Sequence, residues 1–206
     1  NNFRKRFKHH RHTEIKAPKS KRSSLLDELN YHAYLNSGTH IIKIKRLYLA
    51  ISAGPNGQHN IGGHCHNDKL SFELSLDDNP LFLDPGTYLY SASPQQRNFF
   101  RSTSVHHGIS VDGKEQNRWL SGIEGLFSCL PESRCSLLKK RSLKNSFELI
   151  FHIKFQNVSQ IRSFKVQAKQ LIIDDYSSHA FSEELNQSTY YSNAYGRLEK
   201  RDYGAL

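Results

Sequence analysis

The residue types best suited to chemistry are concentrated in one glycine-bounded window. It runs Gly63-His64-Cys65-His66-Asn67-Asp68 and is followed by Asp84-Pro85-Gly86-Thr87-Tyr88 and then by His106 and His107. Imidazoles transfer protons near neutral pH and are also the commonest metal ligands, and a carboxylate completes either kind of site. If His64-Cys65-His66 closes a strand, successive side chains alternate faces, so both rings share one side and Cys65 takes the other. The expectation is therefore a shared His64/His66 site with Cys65 turned away from it.

The elements that must position these groups read as β structure. Leu70, Phe72, Leu74 and Leu76 alternate with Lys69, Ser71, Glu73, Ser75 and Asp77, the period-two pattern of a strand with one buried face. Asp77-Asp78-Asn79-Pro80 has turn chemistry and Leu81-Phe82-Leu83 would be the returning strand. Simple pairing about Asp78-Asn79 would place Asp84 opposite Glu73, about 23 Å along a straight strand from His66. A shared ion then requires a sharp bend at Asn67-Asp68-Lys69 or a different register; otherwise the ligand set is wrong. Further strands are expected around Ile41–Lys45, Leu47–Ile51, Phe147–Phe155, Ser163–Gln167 and Leu171–Asp175, with an Asp112-Gly113 turn. Short helical turns are expected only at Ser24–Leu29 and Ser93–Phe100. This rhythm predicts an all-β, antiparallel, multi-stranded sandwich.

In order and spacing, five segments resemble the heparinase II/III-like polysaccharide lyases, specifically their carboxy-terminal β-sandwich domain. They are Ala53-Gly54-Pro55-Asn56-Gly57, Gly62-Gly63-His64-Cys65-His66-Asn67-Asp68, Leu70-Ser71-Phe72-Glu73-Leu74, Asp84-Pro85-Gly86-Thr87-Tyr88 and Phe100-Arg101-Ser102-Thr103-Ser104-Val105-His106. The resemblance runs from about Leu47 to about Asn117. It implies that His64 is the active-site histidine and that His66, Asp84 and His106 hold a zinc or similar divalent ion, mainly structural in role. His107 stands beside His106, but the family pattern puts the ligand first of the two. Arg101 and Tyr88 are further candidates for substrate binding. Arg101 would either grip a substrate carboxylate through two parallel hydrogen bonds or lock a loop through backbone carbonyls, and Tyr88 would otherwise be a packed aromatic.

The implied reaction is β-elimination in a uronic-acid polysaccharide. A base removes the C5 proton, the 4-linked sugar departs, and the adjacent carboxylate must be neutralised as negative charge develops. In the family a helical toroid ahead of the sandwich completes the site. A chain of 206 residues starting at Asn1 and lacking methionine is expected to be a fragment without that toroid, and so inactive alone. The alternative is a non-catalytic carbohydrate-binding or structural module that keeps the metal site. The implied partners are acidic polysaccharide and the missing amino-terminal helical domain. The implied location is the cell envelope, periplasm or exterior, although no secretory signal is visible.

Composition bounds the rest. The net charge of +10 is uneven: residues 1–24 carry nine Lys/Arg against Glu14 alone, and the remainder carries twenty against eighteen Asp/Glu. The head is expected to be a disordered basic linker over 1–24, with the sandwich domain over 25–206. A nucleic-acid role would rest on that head alone and is not expected, and His9, His10 and His12 within it read as incidental. No apolar run is long enough for a membrane helix. Cys65, Cys129 and Cys135 make an odd count without Cys-x-x-C spacing; Cys129 and Cys135 would either pair in an oxidising compartment or remain thiols.

Overall fold

In this computed structural model, residues 5–18, 24–111, 113–185, 188 and 190–201 are described. Their strands are β1 (His9–Lys16), β2 (Asn30–Tyr34), β3 (Thr39–Lys43), β4 (Leu47–Ser52), β5 (Phe72–Leu76), β6 (Asn79–Phe82), β7 (Ser133–Leu143), β8 (Ser146–Phe155), β9 (Val158–Gln167), β10 (Gln170–Ser177), β11 (Tyr190–Ala194) and β12 (Arg197–Lys200). They form two five-stranded antiparallel sheets, ordered β1-β10-β9-β8-β7 and β2-β3-β4-β5-β6, and a separate β11-β12 hairpin.

Period-two patterning produces both sheets. Leu47, Leu49 and Ile51 of β4 and Phe72, Leu74 and Leu76 of β5 turn inward, as do Leu149, Phe151 and Ile153 of β8 and Phe164 and Val166 of β9. The two inner faces share one core, where Phe72 meets Phe164 edge to face at 5.5 Å between ring centroids. This is the expected sandwich.

The β5–β6 hairpin turns through Asp77 and Asp78, both at positive φ, with Leu76 opposite Asn79. Two left-handed residues give the tight turn whose twist matches the flanking strands. The pairing then slips: Ser75 faces Pro80, but Leu74 faces Phe82. The turn at Asp77-Asp78 advances the returning strand by two residues relative to simple pairing about Asp78-Asn79 and the bulge takes one back, so the register carries Asp84 one residue nearer the start of β5.

The basic head departs from expectation. Instead of a disordered linker, His9–Lys16 is an edge strand paired with β10 over its whole length, while residues 1–4 and 19–23 lie outside the described residues. Mean composition hid an alternation in which Arg11, Thr13 and Ile15 face inward and His10, His12 and Glu14 face outward. The Arg11 charge is absorbed inside the fold, since its guanidinium donates to Asp175 Oδ2 at 2.6 and 3.0 Å. Asp175 is fully buried and also accepts from Arg162 at 2.6 and 2.9 Å. Arg162 Nη1 in turn donates to the carbonyls of Leu70 (2.6 Å) and His107 (2.5 Å), tying the sheet to the loops that carry the chemical residues.

Candidate metal centre and histidine site

The His64-Cys65-His66 segment is a loop rather than the end of a strand, so alternation does not align its rings. Gly62, at φ +90°, lets the chain turn against Cys129, where a Cβ would lie 2.5 Å from the Cys129 sulfur. The loop then sends its two imidazoles to different neighbours. His64 is exposed and lies edge-on to Tyr90 (5.5 Å) and Phe127 (5.6 Å). His66 faces His106, with ring centroids 5.2 Å apart.

A sharp bend follows, one of the routes the sequence left open for bringing His66 to Asp84. Leu70 sits at φ +65°, and Ser71 N–H closes the turn on the Asp68 carbonyl at 2.8 Å. A buried amide network fixes it. Asn67 donates to Glu115 Oε2 (2.7 Å) and to the Asn117 carbonyl (2.9 Å), Asn117 donates back to Asn67 Oδ1 (2.8 Å), and Gln116 makes reciprocal bonds with the Lys69 backbone at 2.9 Å. Lys69 Nζ donates to Asn56 Oδ1. Buried polar groups satisfied in this way specify one loop conformation.

The bend and the hairpin register place His66, Asp84 and His106 together, with one ligand atom from each lying within 4.8 Å of the others. Asp84 comes from the Asp-Pro-Gly turn after β6. Its Oδ1 accepts Gly86 N–H at 2.8 Å, and its Oδ2 accepts His106 Nδ1–H at 3.0 Å. Gly86, at φ +73°, keeps that turn against the β11 backbone, where a Cβ would sit 2.1 Å from the Ser192 carbonyl oxygen. His106 comes from the loop after helix α1 (Pro94–Phe100), which starts at Ser93, whose side chain accepts Gln96 N–H.

Electrostatics in the cluster suit a cation. Burial pushes the His66 imidazole down to about 3, aided by His106, Arg97 and Arg101, so it is held neutral as a ligand must be. Burial would raise the Asp84 carboxyl, but His106, His66 and the Gly86 N–H outweigh it and hold the group well below the usual carboxylate range. Burial opposes charge on His106, yet Asp84 more than compensates and its pKa rises. His106 Nε2 is buried without a hydrogen-bond partner among the described residues. Two imidazoles, one of them carrying the unpartnered nitrogen, and one carboxylate make a donor set that fits a metal ion. Beside them opens a cleft of about 220 Å³ lined by Thr39, Ser52, Asp68, Ser71, Glu73 and Asp84. Burial raises the carboxyls of Asp68 and Glu73 there. That lining favours cations and disfavours an acidic sugar.

The remaining expected residues fall elsewhere. Arg101 is buried, stacks 3.9 Å from the Trp119 ring centroid, and donates to Asn98 Oδ1 and the carbonyls of Leu126 and Gly125. These bonds are the ones the loop-lock alternative called for. Tyr88 packs on Phe100 at 5.3 Å, as the aromatic alternative required. His107 is buried, donates from Nε2 to the Leu83 carbonyl at 2.8 Å, and lies against Phe72 and Phe82, so it braces the hairpin while His106 joins the cluster.

Sequence reasoning missed Arg97, Tyr90 and Phe127. Arg97 is fully buried, donates from Nη1 to His66 Nε2 at 3.1 Å, and has no hydrogen-bond partner for Nη2 among the described residues. Its guanidinium lies 5.1 Å from the Tyr90 ring and 5.8 Å from Phe127, the same two rings that seat His64. The signal was its position four residues before Arg101 on an N-capped helical turn, which puts both guanidiniums on one face.

Known proteins share this fold. The family model described as Heparinase II/III-like, C-terminal, matches residues 18–175. A heparin-sulfate lyase of Bacteroides stercoris is 28% identical over 120 residues, which is 55% of this chain and 17% of that protein. Among solved structures, a heparinase III gene product superposes with a TM-score of 0.63 at 20% identity over 85% of this chain and 33% of its own. A heparan sulfate lyase from Pedobacter heparinus gives 0.55 at 21% identity, over 71% of this chain and 22% of its own. The chain thus spans a third or less of the length of these relatives.

Proposed function

Because this chain belongs to the heparinase II/III-like family, as its C-terminal domain, we propose that it is the sandwich portion of a lyase that cleaves a uronic-acid polysaccharide by β-elimination. The observation that carries this reading is the placement of His64. It is exposed on an aromatic seat of Tyr90 and Phe127, with the buried Arg97 charge against the same rings and the ion cluster two residues along the chain.

His64 takes the C5 proton of the uronic acid, a double bond forms between C4 and C5, and the C4–O bond breaks, releasing the preceding sugar. Tyr90 and Phe127 offer ring faces to the sugar, and Arg97 supplies fixed positive charge behind them where the uronate becomes more basic. His66, Asp84 and His106 would hold a divalent ion, proposed as zinc. Its chemistry when bound is to fix the bend that presents His64. The other wall of the cleft and the acid for the leaving oxygen come from a helical domain of the longer protein, and the chain alone is inactive. Acting on polysaccharide, the enzyme works in the cell envelope or outside the cell.

The test is absorbance of the unsaturated uronide product, with heparan, chondroitin, hyaluronan, alginate and exopolysaccharide as substrates. The chain alone is compared with the protein extended through its upstream region. Product from the extended protein, lost in His64→Ala with metal content unchanged, supports the reading. Absence of product from every substrate refutes it and leaves a carbohydrate-binding module.

A further inference from the structure

We propose that Cys65 and Cys129 form a modification site, an oxidisable dithiol that fastens the His64-Cys65-His66 loop to the segment before β7. The Cys129 sulfur lies over Gly62, and Cys65 stands three residues further along the same turn. Both residues also hang on one dipeptide: Cys65 N–H donates to the Gly62 carbonyl at 3.0 Å and Cys129 N–H donates to the Ile61 carbonyl at 3.1 Å. Gly62 allows the contact, since any side chain there would meet the Cys129 sulfur. Cysteines anchored on adjacent carbonyls of one dipeptide are placed to close to a bond of about 2.05 Å.

The partner choice differs from the one sequence spacing offers. Cys129 and Cys135 are close in sequence, but Cys135 lies in β7 opposite Ile153 and packs against the main core. Cys65 is half-buried and so accessible to a small oxidant, whereas Cys129 is buried behind it. Lys69, with its ammonium on Asn56, adds positive charge that favours the Cys129 thiolate, as does Arg101. Attack of one thiolate on a sulfur joined to the other is the ordinary course of disulfide exchange.

The oxidant is a low-molecular-weight disulfide. The Cys65–Cys129 bond forms as the S–S bond of the small disulfide breaks, and the two protein thiol protons leave on the two small thiols released. All three cysteines are free before this step. The product is a covalent staple between the two histidines of the loop and the chain that leads into β7. The inference does not depend on the lyase reading.

The experiment is incubation of the folded chain with oxidised glutathione, followed by alkylation and non-reducing peptide mapping. The expected result is a Cys65 peptide linked to a Cys129 peptide, with Cys135 alkylated. Cys135→Ser should retain the link, and Cys129→Ser should lose it. A Cys129–Cys135 link, a glutathione adduct without an internal bond, or three alkylated thiols would each overturn the proposal.

Discussion

Replacing Asp175 with Asn tests the account of how the site is held. The carboxylate is fully buried and accepts four charge-assisted hydrogen bonds, two from Arg11 and two from Arg162, at 2.6 to 3.0 Å. An amide keeps the shape but neutralises the charge and turns one acceptor into a donor facing two guanidiniums. Removing one partner of a buried ion pair costs about 3–5 kcal/mol, and here two buried arginines lose their counter-charge, so about 4–5 kcal/mol is expected. That is a large share of the 5–15 kcal/mol typical of a folded domain, and for a chain of this size it lowers Tm by about 8–20 °C. Burial raises the Asp175 carboxyl, but both arginines outweigh it and its net pKa is lowered. The stabilisation is therefore complete above the unfolded carboxyl pKa and disappears as pH falls through the lower folded value, so the variant should lack part of the wild-type acid sensitivity. Urea unfolding at neutral and acid pH measures both effects. Asp174→Asn, whose side chain faces outward to His10 and His12, is the control and should cost under about 1 kcal/mol. A loss below about 1 kcal/mol in Asp175→Asn would refute the argument that this carboxylate holds the edge strand and the site loops together.

Three further outcomes are expected. His66→Ala should lose bound divalent metal and thermal stability together, because ion binding contributes to folding free energy, whereas His64→Ala should change neither; metal analysis and a melting curve separate them. Arg101→Lys should destabilise by about 2–3 kcal/mol in urea, since an ammonium cannot span Asn98, Gly125 and Leu126 at once, while KM in the extended enzyme stays unchanged. His12 has a raised pKa through hydrogen bonds to Asp174 and Glu14, so its contribution to docking β1 is fully present below the unfolded histidine pKa and lost as pH rises through the folded value. Amide exchange in β1 followed from pH 6 to 9 should show protection falling across that range, and protection that rose instead would reverse the assignment.

Much of the sandwich was legible because Leu47, Leu49 and Ile51, or Phe72, Leu74 and Leu76, alternate cleanly where one face is buried. The clustering of His66, Asp84 and His106 was expected from the resemblance in motif order but not from local geometry. A period-two argument put His64 and His66 on one strand face, and a loop bend at Leu70 with a tight turn at Asp77-Asp78 did what a straight strand would not. Bulges and positive-φ turns leave weak traces in residue type. Strand β7 escaped notice for a related reason: its register shifts between Leu137 and Lys139, and as an edge strand it leaves most side chains exposed. The head was misjudged because charge counting does not distinguish a solvated lysine from Arg11, whose counter-ion lies far away in sequence.

The Arg162 brace has a kinetic corollary. It gathers Arg11, Leu70, His107 and Asp175 around one guanidinium, so the histidine loops acquire their final anchor only after nearly the whole domain has been synthesised. Closure over such separations favours slow folding. During synthesis the loops that carry His66, Asp84 and His106 emerge before the strand that completes their anchor.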